Sequence, residues 1–157
     1  MLRRIRILLL DVDGVMTDGG IYYSGRGETL KQFNTKDGYG IVKLQRGGVK
    51  VGIITGRVSS IVKVRAKELG ITELHQNLDK KMVAYGKIKK KLGLTDAEVA
   101  YVGDDEPDVP VLRCVGFSAA PADAMLQVRS MVDYVCKHGG GKGAVREVID
   151  LILDAQS

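Results

Sequence analysis

Two apolar stretches of this 157-residue chain end in clusters of acidic residues, and these side chains are the first candidates for chemistry. Asp11 and Asp13 follow the first stretch, and Asp104, Asp105 and Asp108 follow a later one. If the clusters meet in the fold, their carboxylates repel one another unless a hard cation neutralises them. Oxygen ligands of this kind are those that Mg²⁺ prefers, so the pattern predicts a magnesium site. The simpler alternative is that aspartate ends strands because it favours turns and helix caps.

A second group of polar residues, Thr55, Gly56 and Arg57, ends another apolar stretch. A hydroxyl and a backbone amide at the start of a helix are suited to binding phosphoryl oxygens. The planar guanidinium of Arg57 matches a phosphate or a carboxylate, although a plain surface ion pair is the alternative. The group predicts a site for an anionic ligand.

The chain has the pattern of an α/β protein, because apolar stretches that end in Gly, Thr or Asp alternate with helical patterns. This alternation is typical of βα units and a mainly parallel sheet. The predicted strands are residues 5–10, 49–54, 99–102, 115–119 and 134–135. The predicted helices are residues 39–45, 60–69, 80–92 and a last helix whose apolar stripe runs from Val145 to Leu153. Since ligands bind at the carboxyl ends of the strands in such sheets, the polar groups are expected to meet there, which favours the metal site over simple turns.

Residues 21–33 interrupt the βα rhythm. Ile21, Tyr22 and Tyr23, a turn over residues 24–27, and a second strand over residues 30–33 predict an inserted β-hairpin. No linker or repeat is visible, so one domain over residues 1–157 is expected. The intervals that flank Thr55 and Gly56 are too short for a separate domain of about 50 residues that could close the site.

Composition narrows the class of protein. Apolar residues make up 45% of the chain and charged residues 27%, which is typical of a folded domain. A net charge of +5 is compatible with an anionic small molecule. The lysine-rich residues 87–91 are interpreted as a solvated helix face, so no nucleic-acid partner is predicted. The apolar stretch of residues 7–10 is far below the roughly 18 residues of a membrane span and lacks a cleavage site, so a cytoplasmic protein without a membrane partner is expected.

Several motifs, in order along the chain, resemble those of one protein family. Four resemble the motifs of the haloacid dehalogenase superfamily of phosphatases: DVDGVMTDG (11–19), ITGR (54–57), LDKK (78–81) and GDDEPD (103–108). Two more, FNTKDGYGI (33–41) and GGGKGAVREVIDLIL (139–153), resemble its 3-deoxy-D-manno-octulosonate 8-phosphate (KDO 8-phosphate) phosphatases. The resemblance implies an α/β fold: a three-layer, Rossmann-like, doubly wound parallel sheet with a β-hairpin insertion and no cap domain.

The resemblance also implies roles for the acidic residues and one lysine. Asp11 would be the nucleophile that forms an aspartyl-phosphate, and Asp13 the general acid and then the general base. Asp11, Asp104 and the backbone carbonyl of Asp13 would bind Mg²⁺. Of two adjacent lysines, the Asp-Lys pattern of the family selects Lys80 to stabilise the phosphoryl group and the transition state.

The remaining implied roles concern the substrate. Thr55, Gly56 and Arg57 would bind the phosphate or the substrate carboxylate. Asp105 and Asp108 would be supporting acids, with Asp108 holding a metal-bound water or orienting the lysine. These roles describe a Mg²⁺-dependent phosphatase for an acidic sugar phosphate.

The same resemblance implies a homotetramer in which the hairpins form a β-barrel and neighbouring subunits cover each other's sites. The glycine loop of residues 139–143, with Lys142 and Arg146, would then approach the substrate in a neighbouring subunit, although a simple lead-in to the last helix is the alternative. KDO 8-phosphate is the predicted substrate, favoured weakly by Arg57 over its nine-carbon analogue, 2-keto-3-deoxynononate 9-phosphate. A non-catalytic module that binds Mg²⁺ and phosphate, such as a receiver domain, is the alternative from a different class.

Overall fold

A six-stranded, fully parallel sheet forms the centre of the computed structural model, which describes residues 1–157. The spatial order of the strands is β5-β4-β1-β6-β7-β8. The bounds are β1 (Ile7–Leu10), β4 (Lys50–Ile54), β5 (Glu73–His75), β6 (Val99–Val102), β7 (Phe117–Ala120) and β8 (Tyr134–Val135). An antiparallel hairpin of β2 (Tyr22–Ser24) and β3 (Gly27–Leu30) stands apart from this sheet.

Six α-helices connect the strands and cover both faces of the sheet. Their bounds are α1 (Thr35–Arg46), α2 (Ser60–Glu68), α3 (Lys81–Leu92), α4 (Val109–Leu112), α5 (Leu126–Arg129) and α6 (Ala144–Gln156). Residues of α1, α2 and α6 pack on one face, and residues of α3, α4 and α5 pack on the other. The predicted three-layer, doubly wound α/β fold with an inserted hairpin is therefore confirmed.

The first strand shows why the sheet is buried on both faces. Leu8 and Leu10 belong to the core beneath α1 and α6, whereas Ile7 and Leu9 belong to the core beneath α3. Successive side chains of a strand point to opposite faces, so a strand that is covered twice must be apolar throughout. None of the six α-helices combines the length and the apolar character that a membrane span requires.

Some predicted boundaries differ from the structure for local reasons. The helix expected at residues 39–45 begins at Thr35, because the Asn34 side chain caps it by accepting hydrogen bonds from the amides of Lys36 and Asp37. The first hairpin strand is shifted one residue later than predicted, the second begins and ends three residues earlier, and Lys31 turns inward after β3. The edge strand β5 was not predicted, since three residues carry too little pattern.

Candidate active site

Three neighbouring strands end at the same level and bring the predicted polar residues together. Leu10 of β1 is in register with Ile53 of β4 and Val102 of β6. The loops that follow these strands line a cleft of about 370 Å³. The lining residues are Asp11, Asp13, Thr55, Gly56, Arg57, Leu78, Asp79, Lys81, Asp104, Asp105, Pro107 and Asp108.

A close backbone approach allows the loops after β1 and β6 to meet. Gly14 has a φ of +88°, and a Cβ built there would lie 1.9 Å from Oδ2 of Asp104. Any side chain at this position would be strained and would collide with the carboxylate. Glycine at position 14 therefore lets the loop of Asp11 and Asp13 lie against Asp104.

Lys81, not Lys80, occupies the cleft, which corrects the lysine chosen from the sequence. Lys81 Nζ lies 3.0 Å from Oδ1 of Asp11 and 2.6 Å from Oδ1 of Asp108, and its side chain is 6% exposed. Lys80 is exposed and is the N-cap residue of α3. Because the helix starts one residue later than predicted, it is the side chain of its first residue that contacts the acids.

Asp108 uses both carboxylate oxygens to bind the chain around it. Its Oδ1 accepts hydrogen bonds from Lys81 Nζ and from the Tyr101 hydroxyl, at 2.6 and 2.5 Å. Its Oδ2 accepts from the backbone amides of Asp104 and Asp105, at 2.9 and 3.2 Å. Asp108 thus fixes both the lysine and the loop after β6. Sequence reasoning missed Tyr101, whose only signal is a hydroxyl in an otherwise apolar strand.

The acidic residues fit a divalent cation. Carboxylate oxygens of Asp11, Asp104 and Asp108 lie within 4.8 Å of one another. Burial raises the pKa of Asp11 to about 6, and the charge of Asp108 acts in the same direction. Burial, together with the charges of Asp11 and Asp108, raises the pKa of Asp104 to about 8. Neighbouring carboxylates have raised pKa values because their negative charges repel each other, and a bound cation stabilises their ionised forms. Since Asp108 is already hydrogen-bonded on both oxygens, Asp11 and Asp104 are the carboxylates free to bind it.

The side chain of Asp13 points away from this acidic group. Its Oδ1 accepts a hydrogen bond from Lys31 Nζ at 2.5 Å, and its Oδ2 lies 3.9 Å from Nε of Arg57. The carboxylate of Asp13 is thus separate from the crowded carboxylates. Lys31 has no motif in the sequence that would predict this contact.

The residues after β4 lie in a loop rather than at the start of a helix as predicted. Thr55 is buried and Gly56 is exposed, but α2 begins only at Ser60, after the Ser59 cap. Arg57 lines the cleft and donates a hydrogen bond from Nη2 to the Tyr23 hydroxyl at 2.9 Å. The arginine is therefore held between the cleft and the hairpin.

Asp105 lies at the rim of the cleft and is exposed. Its Oδ1 accepts a hydrogen bond from the amide of Glu106 at 2.7 Å. This contact caps the short turn over Glu106–Asp108, so the side chain of Asp105 is a local cap beside the acidic group.

The glycine loop of residues 139–143 packs against the loop after β1 of its own chain. The amide of Gly141 donates to the Val15 carbonyl at 3.1 Å. A Cβ at Gly140 would lie 2.0 Å from the Gly14 carbonyl oxygen, so the contact requires glycine. Within one chain, the loop thus supports the segment that carries Asp11 and Asp13.

Lys142 and Arg146 line a different cleft of about 410 Å³. Arg146 Nε lies 3.0 Å from the Asp150 carboxylate, and its guanidinium lies 5.5 Å from the centre of the Tyr39 ring. The fold of one chain does not bring these two residues to the acidic cleft. Their approach to a neighbouring subunit stays a prediction.

Comparisons with known proteins show which family the chain matches. A family model described as haloacid dehalogenase-like hydrolase matches residues 40–116. The KDO 8-phosphate phosphatase KdsC of Escherichia coli K12 is 49% identical over 152 residues, which cover 97% of this chain and 81% of the relative. The crystal structure of the KDO 8-phosphate phosphatase from Yersinia pestis matches with a TM-score of 0.97 and 49% identity, over 99% of this chain and 84% of that one.

A further similar structure holds ligands. The KDO 8-phosphate phosphatase of Moraxella catarrhalis, in complex with magnesium, phosphate and KDO, matches with a TM-score of 0.95 and 42% identity. The match covers 99% of this chain and 89% of that one. The likeness to these relatives includes the hairpin and the glycine loop, which lie outside the residues matched by the family model.

Proposed function

The chain belongs to the haloacid dehalogenase superfamily, in its family of KDO 8-phosphate phosphatases, and from this premise we propose that it hydrolyses KDO 8-phosphate to the free sugar acid and inorganic phosphate. The observation that carries the proposal is the meeting of Asp11, Lys81 and Asp104 in one cleft. Such a cleft combines a carboxylate nucleophile (Asp11), a positively charged ammonium group (Lys81) and a second carboxylate (Asp104). A protein needs these groups to accept a phosphoryl group from a substrate.

Asp11 is the proposed nucleophile. One of its carboxylate oxygens forms a bond to phosphorus while the bond from phosphorus to the sugar oxygen breaks. Lys81, 3.0 Å from Oδ1 of Asp11, places positive charge where negative charge builds up on the transferring group. Mg²⁺ bound by Asp11, Asp104 and the backbone carbonyl of Asp13 would supply further positive charge opposite the phosphoryl oxygens.

Asp13 is the proposed proton carrier. It gives a proton to the departing sugar oxygen, which would otherwise leave as a strongly basic alkoxide. It then accepts a proton from the water molecule whose oxygen attacks the aspartyl-phosphate. This second step releases phosphate and restores the Asp11 carboxylate.

Thr55, Gly56 and Arg57 are the proposed contacts for the anionic substrate. All three line the same cleft as Asp11. The Thr55 hydroxyl and the Gly56 amide are hydrogen-bond donors for phosphoryl oxygens, and Arg57 matches a carboxylate or a phosphate in shape and charge. An acidic sugar phosphate carries both groups.

We expect Mg²⁺-dependent release of phosphate from KDO 8-phosphate, with a kcat/KM at least about tenfold above that for 2-keto-3-deoxynononate 9-phosphate. Glucose 6-phosphate, which lacks a carboxylate, serves as the control and is expected to be hydrolysed about a hundredfold less efficiently, since Arg57 would lose its charged hydrogen-bond partner on the substrate. Removal of the metal by EDTA should abolish activity, and added Mg²⁺ should restore it. Preference for the nine-carbon substrate would assign the chain to that reaction instead. No phosphate release from any sugar phosphate would favour a non-catalytic module.

We also propose that residues 1–157 act as one domain of a cytoplasmic homotetramer that contributes to the synthesis of lipopolysaccharide precursors. The hairpin supports the assembly, because Tyr22, Tyr23 and Leu30 are exposed on its two strands. Exposed apolar side chains that cluster on one element are typical of interaction surfaces. In such an assembly, Lys142 and Arg146 would approach the site of a neighbouring subunit.

Replacing both Tyr22 and Leu30 by aspartate is expected to convert the assembly into smaller species. The two residues pair directly across the hairpin, so the change places two charges on the proposed contact surface. Sedimentation velocity at several concentrations measures the effect. Val83→Asp, on the exposed face of α3, is the control and should leave the assembly intact. A wild-type chain that is a fully active monomer at low concentration would contradict the proposal.

A further inference from the structure

A partly buried group of charges joins the hairpin to the cleft. We call it the hairpin cluster, formed by Asp13, Glu28, Lys31, Arg57 and Ser59. The Lys31 side chain is fully buried, and its Nζ lies 2.5 Å from Oδ1 of Asp13 and 3.1 Å from Oε2 of Glu28. The Ser59 hydroxyl donates to Oε1 of Glu28 at 2.6 Å, and Arg57 Nη2 lies 3.7 Å from Oε2. The cluster contains two positive and two negative charges and is therefore electrically balanced.

Packing alone does not account for a lysine at position 31. Burial of an ammonium group costs free energy, and apolar residues of similar volume commonly replace a buried ion pair without loss of stability. An apolar side chain at position 31 alone would leave the carboxylates of Asp13 and Glu28 without their ammonium partner, so the charge of Lys31 is not interchangeable with apolar packing. This charge is aimed at Asp13, one of the residues that line the cleft.

The contact fixes which oxygen of Asp13 is available. Lys31 occupies Oδ1, while Oδ2 accepts no hydrogen bond from the chain and lies on the side of Arg57. Glu28 holds Lys31 from the other side, and the Ser59 hydroxyl holds Glu28. A carboxylate held at one oxygen loses its freedom to rotate, which keeps the other oxygen in a defined place for proton transfer.

We propose that Lys31 is a positioning residue that orients Asp13 for proton transfer to the sugar oxygen. The inference rests on the proposed function, because it assigns the proton transfer to Asp13. It also means that the hairpin contributes directly to the reaction of its own subunit, in addition to its proposed part in assembly. Lys31 itself does not touch the reacting atoms in this proposal.

The leaving group provides the readout. A sugar alkoxide needs a proton as it departs, whereas 4-nitrophenolate is a stable anion and needs none. The parameter kcat/KM reports on steps up to the release of this leaving group. Loss of the orientation of Asp13 therefore lowers kcat/KM for the sugar phosphate and leaves kcat/KM for 4-nitrophenyl phosphate largely unchanged. Damage to the fold or to the metal site lowers both.

The test is Lys31→Met, which keeps the length and apolar body of the side chain and removes its charge. We expect kcat/KM for KDO 8-phosphate to fall about 30- to 100-fold, and kcat/KM for 4-nitrophenyl phosphate to fall less than about threefold. Lys90→Met, an exposed lysine on α3, is the matched control and should change neither. When Lys31→Met is added to Asp13→Asn, kcat/KM for KDO 8-phosphate should fall by less than about a further twofold, because the carboxylate that Lys31 orients is already lost.

Equal losses on the two substrates, no loss on either, or a gain on the sugar phosphate would overturn the proposal. If Lys31→Met does not fold, Lys31→Gln tests the same point, because its amide is too short to keep the contact and tolerates Glu28 nearby. Failure of the proposed function looks different. In that case the wild-type chain would hydrolyse 4-nitrophenyl phosphate but no sugar phosphate, before any variant is compared.

Discussion

Replacement of Asp11 by asparagine is expected to lower kcat for KDO 8-phosphate by about 10⁴-fold or more, because an amide cannot attack phosphorus. Rapid quenching of the wild-type chain with radiolabelled substrate should trap label on the protein, and Asp11→Asn should trap none. Asp154→Asn, an exposed residue of α6, is the matched control and should keep the activity of the wild type. Full trapping in Asp11→Asn would show that another residue is the nucleophile.

The same variant is expected to be at least as stable as the wild type when the metal is removed. Burial and the charge of Asp108 raise the pKa of Asp11 to about 6, so its ionised form is disfavoured in the folded chain. An acid with a raised pKa favours folding below its unfolded pKa and loses that contribution as pH rises through the folded pKa. At pH 8 in EDTA the asparagine therefore removes a destabilising charge. Thermal melts of both proteins at pH 8 measure this, and they separate loss of the nucleophile from loss of the fold.

The main features of the fold could be predicted because they depend on local patterns. A strand that is buried on both faces must be apolar throughout, and Val99–Val102 has the predicted bounds. Parallel strands in register bring their carboxyl ends to one edge, so the meeting of Asp11, Thr55 and Asp104 followed from the order of elements. The exact ends of α1 and of the hairpin depend on single caps and turns, which a periodic pattern does not specify.

The contacts that complete the site could not be predicted because they depend on the side chains of distant residues. Lys31 and Asp13 are brought together by the hairpin between them, and no spacing rule encodes that contact. Tyr101 has the sequence context of a core residue, yet its hydroxyl donates to Asp108. The choice between Lys80 and Lys81 depends on where α3 begins, because neighbouring residues of a helix point in directions about 100° apart.

The two adjacent lysines provide the second large expected effect and its control. Lys81→Met is expected to lower kcat about 10²- to 10³-fold, because it removes a preorganised positive charge beside Asp11. Lys80→Met should stay within about threefold of the wild type, since Lys80 is exposed and its side chain does not cap the helix. Steady-state rates with KDO 8-phosphate at saturating Mg²⁺ measure both.

Stability has to be separated from catalysis for Lys81, because the residue is also part of a buried charge network. Removing one partner of a buried ion pair commonly costs about 3–5 kcal/mol, since the other partner is left unpaired. Asp108 would keep its hydrogen bonds from Tyr101 and from the two backbone amides, which limits this cost.

Lys81→Arg is the decisive comparison, because arginine keeps the charge but not the compact ammonium that lies between Asp11 and Asp108. If charge alone matters, Lys81→Arg recovers most of the rate at a temperature where both variants are folded. If Lys80→Met loses activity and Lys81→Met does not, Lys80 is the catalytic lysine, as chosen from the sequence. The start of α3 in solution would then differ from Lys81.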